Sequence, residues 1–244
     1  IKVNIVPDFI INRLDNTTIY YISDSSQIGG SSSTVSLGNK VTRLKESTSK
    51  YGHYGNVFLM ADNTIKTCGY AGNRGFGTPD GQHAYTPINV SIETAYPPRG
   101  KFISVHADNR GIMALTDSGE VYSRGYNGQG QLGHGNNTQI GVLKKIQFFE
   151  TNSIKISQLY FCGVSSSTIS SAFAISDVGE VYSWGYNGYG QLGHGNTTQL
   201  TTPKKIVALS GINIMKLFVR SNIVLCPIFS SVGSGNKDIR LVDF

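Results

Sequence analysis

Residues 119–139 read GEVYSRGYNGQGQLGHGNNTQ and residues 179–199 read GEVYSWGYNGYGQLGHGNTTQ, so two 21-residue stretches differ only at Arg124/Trp184, Gln129/Tyr189 and Asn137/Thr197. The fixed offset of 60 marks an internal repeat, and repetition at this period means stacked supersecondary units with a continuous core between them. A third copy stands at an offset of 56, with Gly69, Tyr70, Gly72, Phe76 and Gly77 in the places of Gly125, Tyr126, Gly128, Leu132 and Gly133. Near the start, Asp15-Asn16-Thr17-Thr18-Ile19-Tyr20 resembles Asp117–Tyr122 and marks a fourth, degenerate copy. The chain therefore divides into units at about 8–55, 56–110, 111–170 and 171–220, with 221–244 a terminal remnant, all within one repeat domain over 1–244.

Each unit opens on a short apolar run, Asn56–Ala61, Gly111–Thr116 or Ser171–Ser176, followed by a turn at Asp62-Asn63, Asp117-Ser118-Gly119 or Asp177-Val178-Gly179. An alternating segment such as Val181-Tyr182-Ser183-Trp184 comes next. This is the pattern of a β-hairpin. The glycines of the following stretch permit positive φ and tight bends, which predicts a compact loop. Leu132, Leu192 and Phe76 are expected to pin that loop to the sheet. Lys144–Phe149 and Lys204–Leu209 read as third strands; Phe102–Ala107, Ile154–Phe161 and Ile212–Val219 read as fourth strands. No segment sustains a 3.6-residue apolar period. The expected fold is all-β, a propeller of four-stranded antiparallel blades with about four legible repeats, forming a partial, small or open ring. Ile1–Val6 alternates and could serve as a closing strand.

Residues 112–135 and 172–195 resemble the repeat of the regulator of chromosome condensation family, whose pattern runs from an aliphatic-Ala-aliphatic strand through Gly-Glu-Val-Tyr-Ser-Trp-Gly to Gly-Gln-Leu-Gly-His-Gly. Arg124 departs from it by taking the Trp position. The resemblance covers about 50–220 and implies a propeller, which in this family typically has seven blades and serves dissimilar functions. Seven blades need more than 244 residues, so the resemblance implies a fragment, a smaller ring, or an open array completed by a partner.

No catalytic constellation is present. His134 and His194 recur without a neighbouring carboxylate and read as loop-stabilising residues, not a metal pair. Glu120 and Glu180 lack a paired carboxylate at a characteristic spacing. No Gly-rich segment continues into the Lys-Ser/Thr of a phosphate-binding loop. Cys68, Cys162 and Cys226 are far apart, show no CxxC spacing and read as buried thiols. No cofactor or metal is expected.

The net charge is +6, but Lys144-Lys145 and Lys204-Lys205 read first as protection of an outer strand. A nucleic acid or other polyanion is the weaker expectation. No apolar run reaches membrane-span length, so a soluble protein is expected, either cytoplasmic or part of an extracellular or virion assembly.

Residues shared by the two long copies are assigned to the fold, and those that vary to recognition. The expected partner-binding set is Arg124, Tyr126, Gln129, Trp184, Tyr186 and Tyr189, with Asn73 and Arg74 from the third copy. Rigid aromatic side chains of this kind are favoured at interfaces. The inserts Thr78–Gly100 and Gly30–Gly55 are a second candidate surface. The leading expectation is a non-catalytic module that binds a protein partner or neighbouring copies. The alternatives are a structural component of a virion, secreted or cell-surface assembly, and, on the resemblance, a nucleotide exchange and chromatin-binding factor for a Ran-type GTPase.

Overall fold

The computed structural model describes residues 9–13, 18–23, 33–36, 41–47, 55–69, 76, 84–108, 110–163, 170–212, 214, 216–220, 223–229 and 239–242. Five antiparallel sheets follow one another along the chain. The first has three strands, β1 (Phe9–Arg13), β2 (Thr18–Ser23) and β3 (Ser33–Ser36). The second comprises β4 (Val41–Ser47), β5 (Gly55–Met60), β6 (Ile65–Gly69) and β7 (Ala84–Asn89). The third comprises β8 (Phe102–Ala107), β9 (Gly111–Thr116), β10 (Val121–Gly125) and β11 (Ile140–Lys145). The fourth comprises β12 (Ile156–Gly163), β13 (Ser170–Ser176), β14 (Val181–Gly185) and β15 (Leu200–Lys205). The fifth has β16 (Phe218–Arg220), β17 (Ile223–Phe229) and β18 (Ile239–Val242). Each sheet is a meander in chain order, and β4, β8, β12 and β16 touch in sequence, so the first strands of these four sheets lie side by side.

Alternation along the strands explains the stacking. Successive side chains point to opposite faces. In β9, Ile112 and Ala114 enter the core shared with Val57, Leu59 and Val105, while Met113 and Leu115 enter the core shared with Leu159, Ala172 and Trp184. In β13, Ala172 and Ala174 face that second core, and Phe173 and Ile175 face a third with Leu192 and Leu217. All residues of β9 and β13 are buried, because each middle strand has a neighbouring blade on both sides.

The blades are stitched by their turns. The side chain of Asn63, in the second sheet's hairpin turn, accepts from Phe102 N at 2.6 Å. One sheet on, Gly119 O accepts from Ile156 N at 3.1 Å. The hydrogen-bonded sheets are out of phase with the sequence units. Phe102–Ala107 and Ile154–Phe161 are expected as closing strands, but β8 and β12 (Ile156–Gly163) open the next sheet by pairing with β9 and β13.

A second difference concerns the outer strands. They end at Lys145 and Lys205 and give way to a short helix, α1 (Gln147–Thr151), and a 3₁₀ turn over Val207–Leu209. Ile146 and Phe149, like Ile206 and Leu209, are buried three residues apart, a spacing that a helical turn satisfies and a strand does not. Likewise, among the described residues of the expected Ile212–Val219 strand, only Phe218 and Val219 are extended, Ile214 and Leu217 being buried three apart. Ile1–Val6 lies outside the described residues.

Candidate functional site

The two described Gly-rich loops follow the third strands of the third and fourth sheets, and their shared residues are committed to holding the loop. Asn127 is fully buried; its Oδ1 accepts from Leu132 N at 2.9 Å and its Nδ2 donates to Asn136 O at 2.8 Å. Asn187 repeats both bonds with Leu192 and Asn196. Gln131 Oε1 accepts from Gln129 N, as Gln191 Oε1 does from Tyr189 N. Leu132, Leu192 and Phe76 are essentially inaccessible, so the apolar pins sit where the sequence puts them.

The histidines are part of the same scaffold. Ser123 Oγ spends its proton on Leu132 O at 2.8 Å, so His134 Nε2, 2.9 Å away, must carry the hydrogen and donate to that oxygen. Ser183, Leu192 and His194 repeat the arrangement at 2.7 and 3.0 Å. Burial, with Lys144 nearby, pushes the His134 imidazole down to about 4.

Gly125 marks where the third strand leaves its ladder. Its φ is 121° and a Cβ there would lie 2.2 Å from Arg110 O. The ladder between β10 and β11 shifts register between Ser123 and Gly125, which throws the loop across to the next blade.

Two expected recognition residues belong to the interior. Trp184 and Arg124 are fully buried. The Trp184 indole Nε1 donates to Gln131 O at 2.9 Å in the preceding blade's loop, and its ring packs edge-to-face on Phe149 at 5.8 Å. Arg124 fills the same strand position one blade earlier, and burial lowers its guanidinium to about 10. Partner contact by these two is therefore corrected to packing between blades, because their strand position faces a neighbouring sheet.

Tyr126, Gln129, Tyr186 and Tyr189 reach the surface. Tyr189 is 64 % exposed and meets Tyr186 edge-to-face at 5.8 Å. Tyr126 is half-buried under the guanidinium of Arg110, 5.6 Å from the ring centroid, and Gln129 is also half-buried. Tyr126 and Tyr186 also fold back onto their own loops: a Cβ at Gly128 or Gly188 would lie 2.0 or 2.1 Å from the tyrosine hydroxyl. Asn73 and Arg74 lie outside the described residues. Of the three positions that distinguish the long copies, only Gln129/Tyr189 and Asn137/Thr197 reach solvent.

Sequence reasoning missed an ion network at the opposite end of the third sheet. Glu120 Oε1 receives Lys145 Nζ at 2.6 Å and Arg99 Nε at 2.7 Å; Glu150 binds the same two cations at 2.5 and 3.0 Å. Burial works against the Glu120 carboxylate, but bonds from Lys145 and Arg99 outweigh it and hold its pKa at about 2. Lys145 is buried, so this half of the Lys144-Lys145 pair is an internal ion partner and not edge protection. The insert after β7 also has a structural role: Ser91 O accepts from Leu143 N at 2.7 Å, and Glu93 N donates to Leu143 O at 2.9 Å, covering part of the outer edge of β11.

Cys68 is buried; the side chains of Cys162 and Cys226 lie outside the described residues. Among the described residues no group of three or more His, Cys, Asp or Glu could hold a metal ion, and no helix is long and apolar enough to cross a membrane.

Residues 118–169 and 178–225 each match the regulator of chromosome condensation (RCC1) repeat. The chain is 28% identical over 211 residues to the human E3 ubiquitin-protein ligase HERC2, an alignment covering 82% of this chain and 4% of that protein. It is 32% identical over 159 residues to the ultraviolet-B receptor UVR8 of Arabidopsis thaliana, covering 65% of this chain and 33% of the receptor.

Among solved structures, human WBSCR16 superposes with a TM-score of 0.67 at 16% identity, over 93% of this chain and 62% of that one. Yeast RCC1 (Prp20), solved bound to Kap60, superposes with a TM-score of 0.64 at 17% identity, over 86% of this chain and 49% of that one. The chain thus spans a small part of HERC2, a third of UVR8 and about half of yeast RCC1. Two stretches of the chain, 118–169 and 178–225, match the RCC1 repeat, and its fold is like that of these propellers.

Proposed function

We propose that this chain is a non-catalytic module that holds a protein partner on the loop face of its blades, with the repeat array over 1–244 acting as one domain. The observation that carries this reading is the division of labour within the repeated loops. Their shared residues close the loop or join neighbouring blades, whereas Tyr189 stands 64 % exposed with Tyr186 against its edge. A rigid aromatic pair at a rim offers contact area at small entropic cost. Tyr126 with Arg110, and Gln129, are assigned to the same face; Asn73 and Arg74, expected from the sequence to join them, lie outside the described residues.

The match to RCC1 repeats supports the reading at the level of class, since such propellers generally serve as protein-interaction modules. Exchange activity on a Ran-type GTPase would be a finer property. The likeness to yeast RCC1 at 17% identity is a likeness of fold, and the recognition loops here are accounted for without it.

The test compares the full chain with its Tyr189→Ala variant as baits against the proteome of its source. A partner retained by the first and lost by the second, at equal melting temperature, supports the reading. Equal recovery by both contradicts it. Acceleration of nucleotide release from a small GTPase would replace it with the exchange reading.

A further inference from the structure

Tyr126 and Tyr186 hold equivalent places in the two long repeats, yet they meet different side chains. Over Tyr126 lies the guanidinium of Arg110, 5.6 Å from the ring centroid. One repeat on, the place of Arg110 is taken by the buried Ser170. Tyr186 is met instead by the ring of Tyr189, at 5.8 Å and 69°. One loop therefore carries a cation on an aromatic face, and the other an exposed aromatic pair.

The buried carboxylate of Asp108 joins the two. Its Oδ1 accepts from Arg110 N at 2.9 Å, and its Oδ2 accepts from the Ser170 hydroxyl. Ser170 O accepts from Tyr186 N at 2.9 Å, as Arg110 O does from Tyr126 N at 3.0 Å. Both tyrosines leave their strands from backbone held on one carboxylate, so Arg110 and the Tyr186–Tyr189 pair belong to one surface.

The charge on that surface is one-sided. Residues 126–139 and 186–199 include no Asp, Glu, Lys or Arg. Burial pushes the imidazoles of His134 and His194 below their ordinary value, so neither adds charge at neutral pH. Arg99, Lys144, Lys145 and Lys205 each pair with a glutamate, whereas Arg110 makes no ion pair among the described residues. Asp108 bonds the backbone N–H of Arg110, not its guanidinium. A guanidinium presents a planar fork of donors that fits a carboxylate with two parallel bonds, and the ring of Tyr126 holds it in place.

We propose that Arg110 and Tyr189 are the two anchors of one docking surface for an acidic segment of a partner protein. A carboxylate of that segment accepts from the Arg110 guanidinium, and an apolar side chain beside it packs on the exposed ring of Tyr189. A nucleic acid needs a series of cations along its backbone, and these loops supply none. A single fixed guanidinium beside uncharged tyrosines suits a single carboxylate flanked by apolar groups. The proposal rests on the binding-module reading and specifies what the partner presents to that face.

The probe is a library of random peptides displayed on phage, selected in parallel against the full chain and its Arg110→Gln and Tyr189→Ala variants. The pool from the full chain should be rich in Asp or Glu next to an aromatic or aliphatic residue. Arg110→Gln should lose the acidic preference and keep the apolar one, and Tyr189→Ala the reverse. A synthetic peptide from the first pool should bind Arg110→Gln about tenfold or more weakly, as loss of a charged hydrogen bond requires. Arg110→Lys should fall between, because an ammonium keeps the charge but not the fork. Its melting temperature, equal to that of the full chain, separates a lost contact from a lost fold.

The proposal is overturned if no peptide is enriched, or if the first pool shows no acidic preference. It is also overturned if that preference survives Arg110→Gln, which would make the net charge of +6 its cause. Tighter, Arg110-dependent binding of a single-stranded oligothymidylate than of the peptide would assign the face to a phosphate backbone. Peptides that need Tyr189 but carry no acidic residue would remove this proposal and leave the module reading standing. Pools indifferent to both substitutions would remove the two together.

Discussion

The indole Nε1 of Trp184 donates to the backbone carbonyl of Gln131 at 2.9 Å, fastening the loop of one blade to the third strand of the next. The bond spans 53 residues of chain and is fully buried. It explains why a residue that looks like an exposed interface anchor in the repeat is an internal staple. Trp184→Phe would leave the Gln131 carbonyl unpaired in the core. The expected loss is about 1–3 kcal/mol, a fall of roughly 2–12 °C in melting temperature at this chain length. A thermal melt with unchanged midpoint would contradict it.

Gly125 and Gly195 both have positive φ, but they differ in what a side chain would meet. Gly125→Ala drives its Cβ to 2.2 Å from Arg110 O, whereas Gly195→Ala meets nothing among the described residues. The first should cost well over the ~1 kcal/mol of conformational strain that the second incurs. Denaturant midpoints of the two variants check the ordering.

The stability of the fold should fall on acidification in two stages. His134 has a folded pKa of about 4, below its ordinary 6.5, so its contribution is complete above pH 6.5 and drains as the pH falls toward 4. Glu120 is held at about 2, below its ordinary 4.5, so its contribution is present above pH 4.5 and is lost between there and pH 2. Melting temperature against pH for the wild type and His134→Gln should differ in slope only in the upper window.

Glu120→Ala removes the carboxylate that neutralises Lys145, whose side chain is 5% exposed. Glu150 remains as a single, more exposed partner. Breaking a buried pair by deleting one member typically costs ~3–5 kcal/mol. Glu180→Ala, in the half-exposed counterpart with Lys205, should cost under about 1 kcal/mol. Equal effects in chemical denaturation would show that burial does not set the difference.

Much of the fold is legible because period-two alternation and loop glycines recur in copies. One 60-residue offset between two near-identical copies exposes the hairpins at 111–125 and 171–185, and the buried Leu132 and Leu192. The blade phase is not legible, since a strand such as Phe102–Ala107 has the same composition whether it closes one sheet or opens the next. Nor is the fate of Lys145 and Arg99, whose partners come from Glu120 and Glu150 across the fold. At the candidate site, variation between copies marks Tyr189 and Trp184 equally. What separates them is strand position: Trp184 lies within β14 facing a neighbouring blade, and Tyr189 lies past its end on the rim.

The central claim is that this rim is where a partner sits. A photoreactive benzoyl-phenylalanine at position 189 compared with one at Val178 tests it most directly. Both sites are exposed, at 64 % and 73 %, and they lie at opposite ends of β14. A discrete cross-linked partner is expected from position 189 and none from position 178. Equal cross-linking from both, or adducts from position 178 alone, would contradict it.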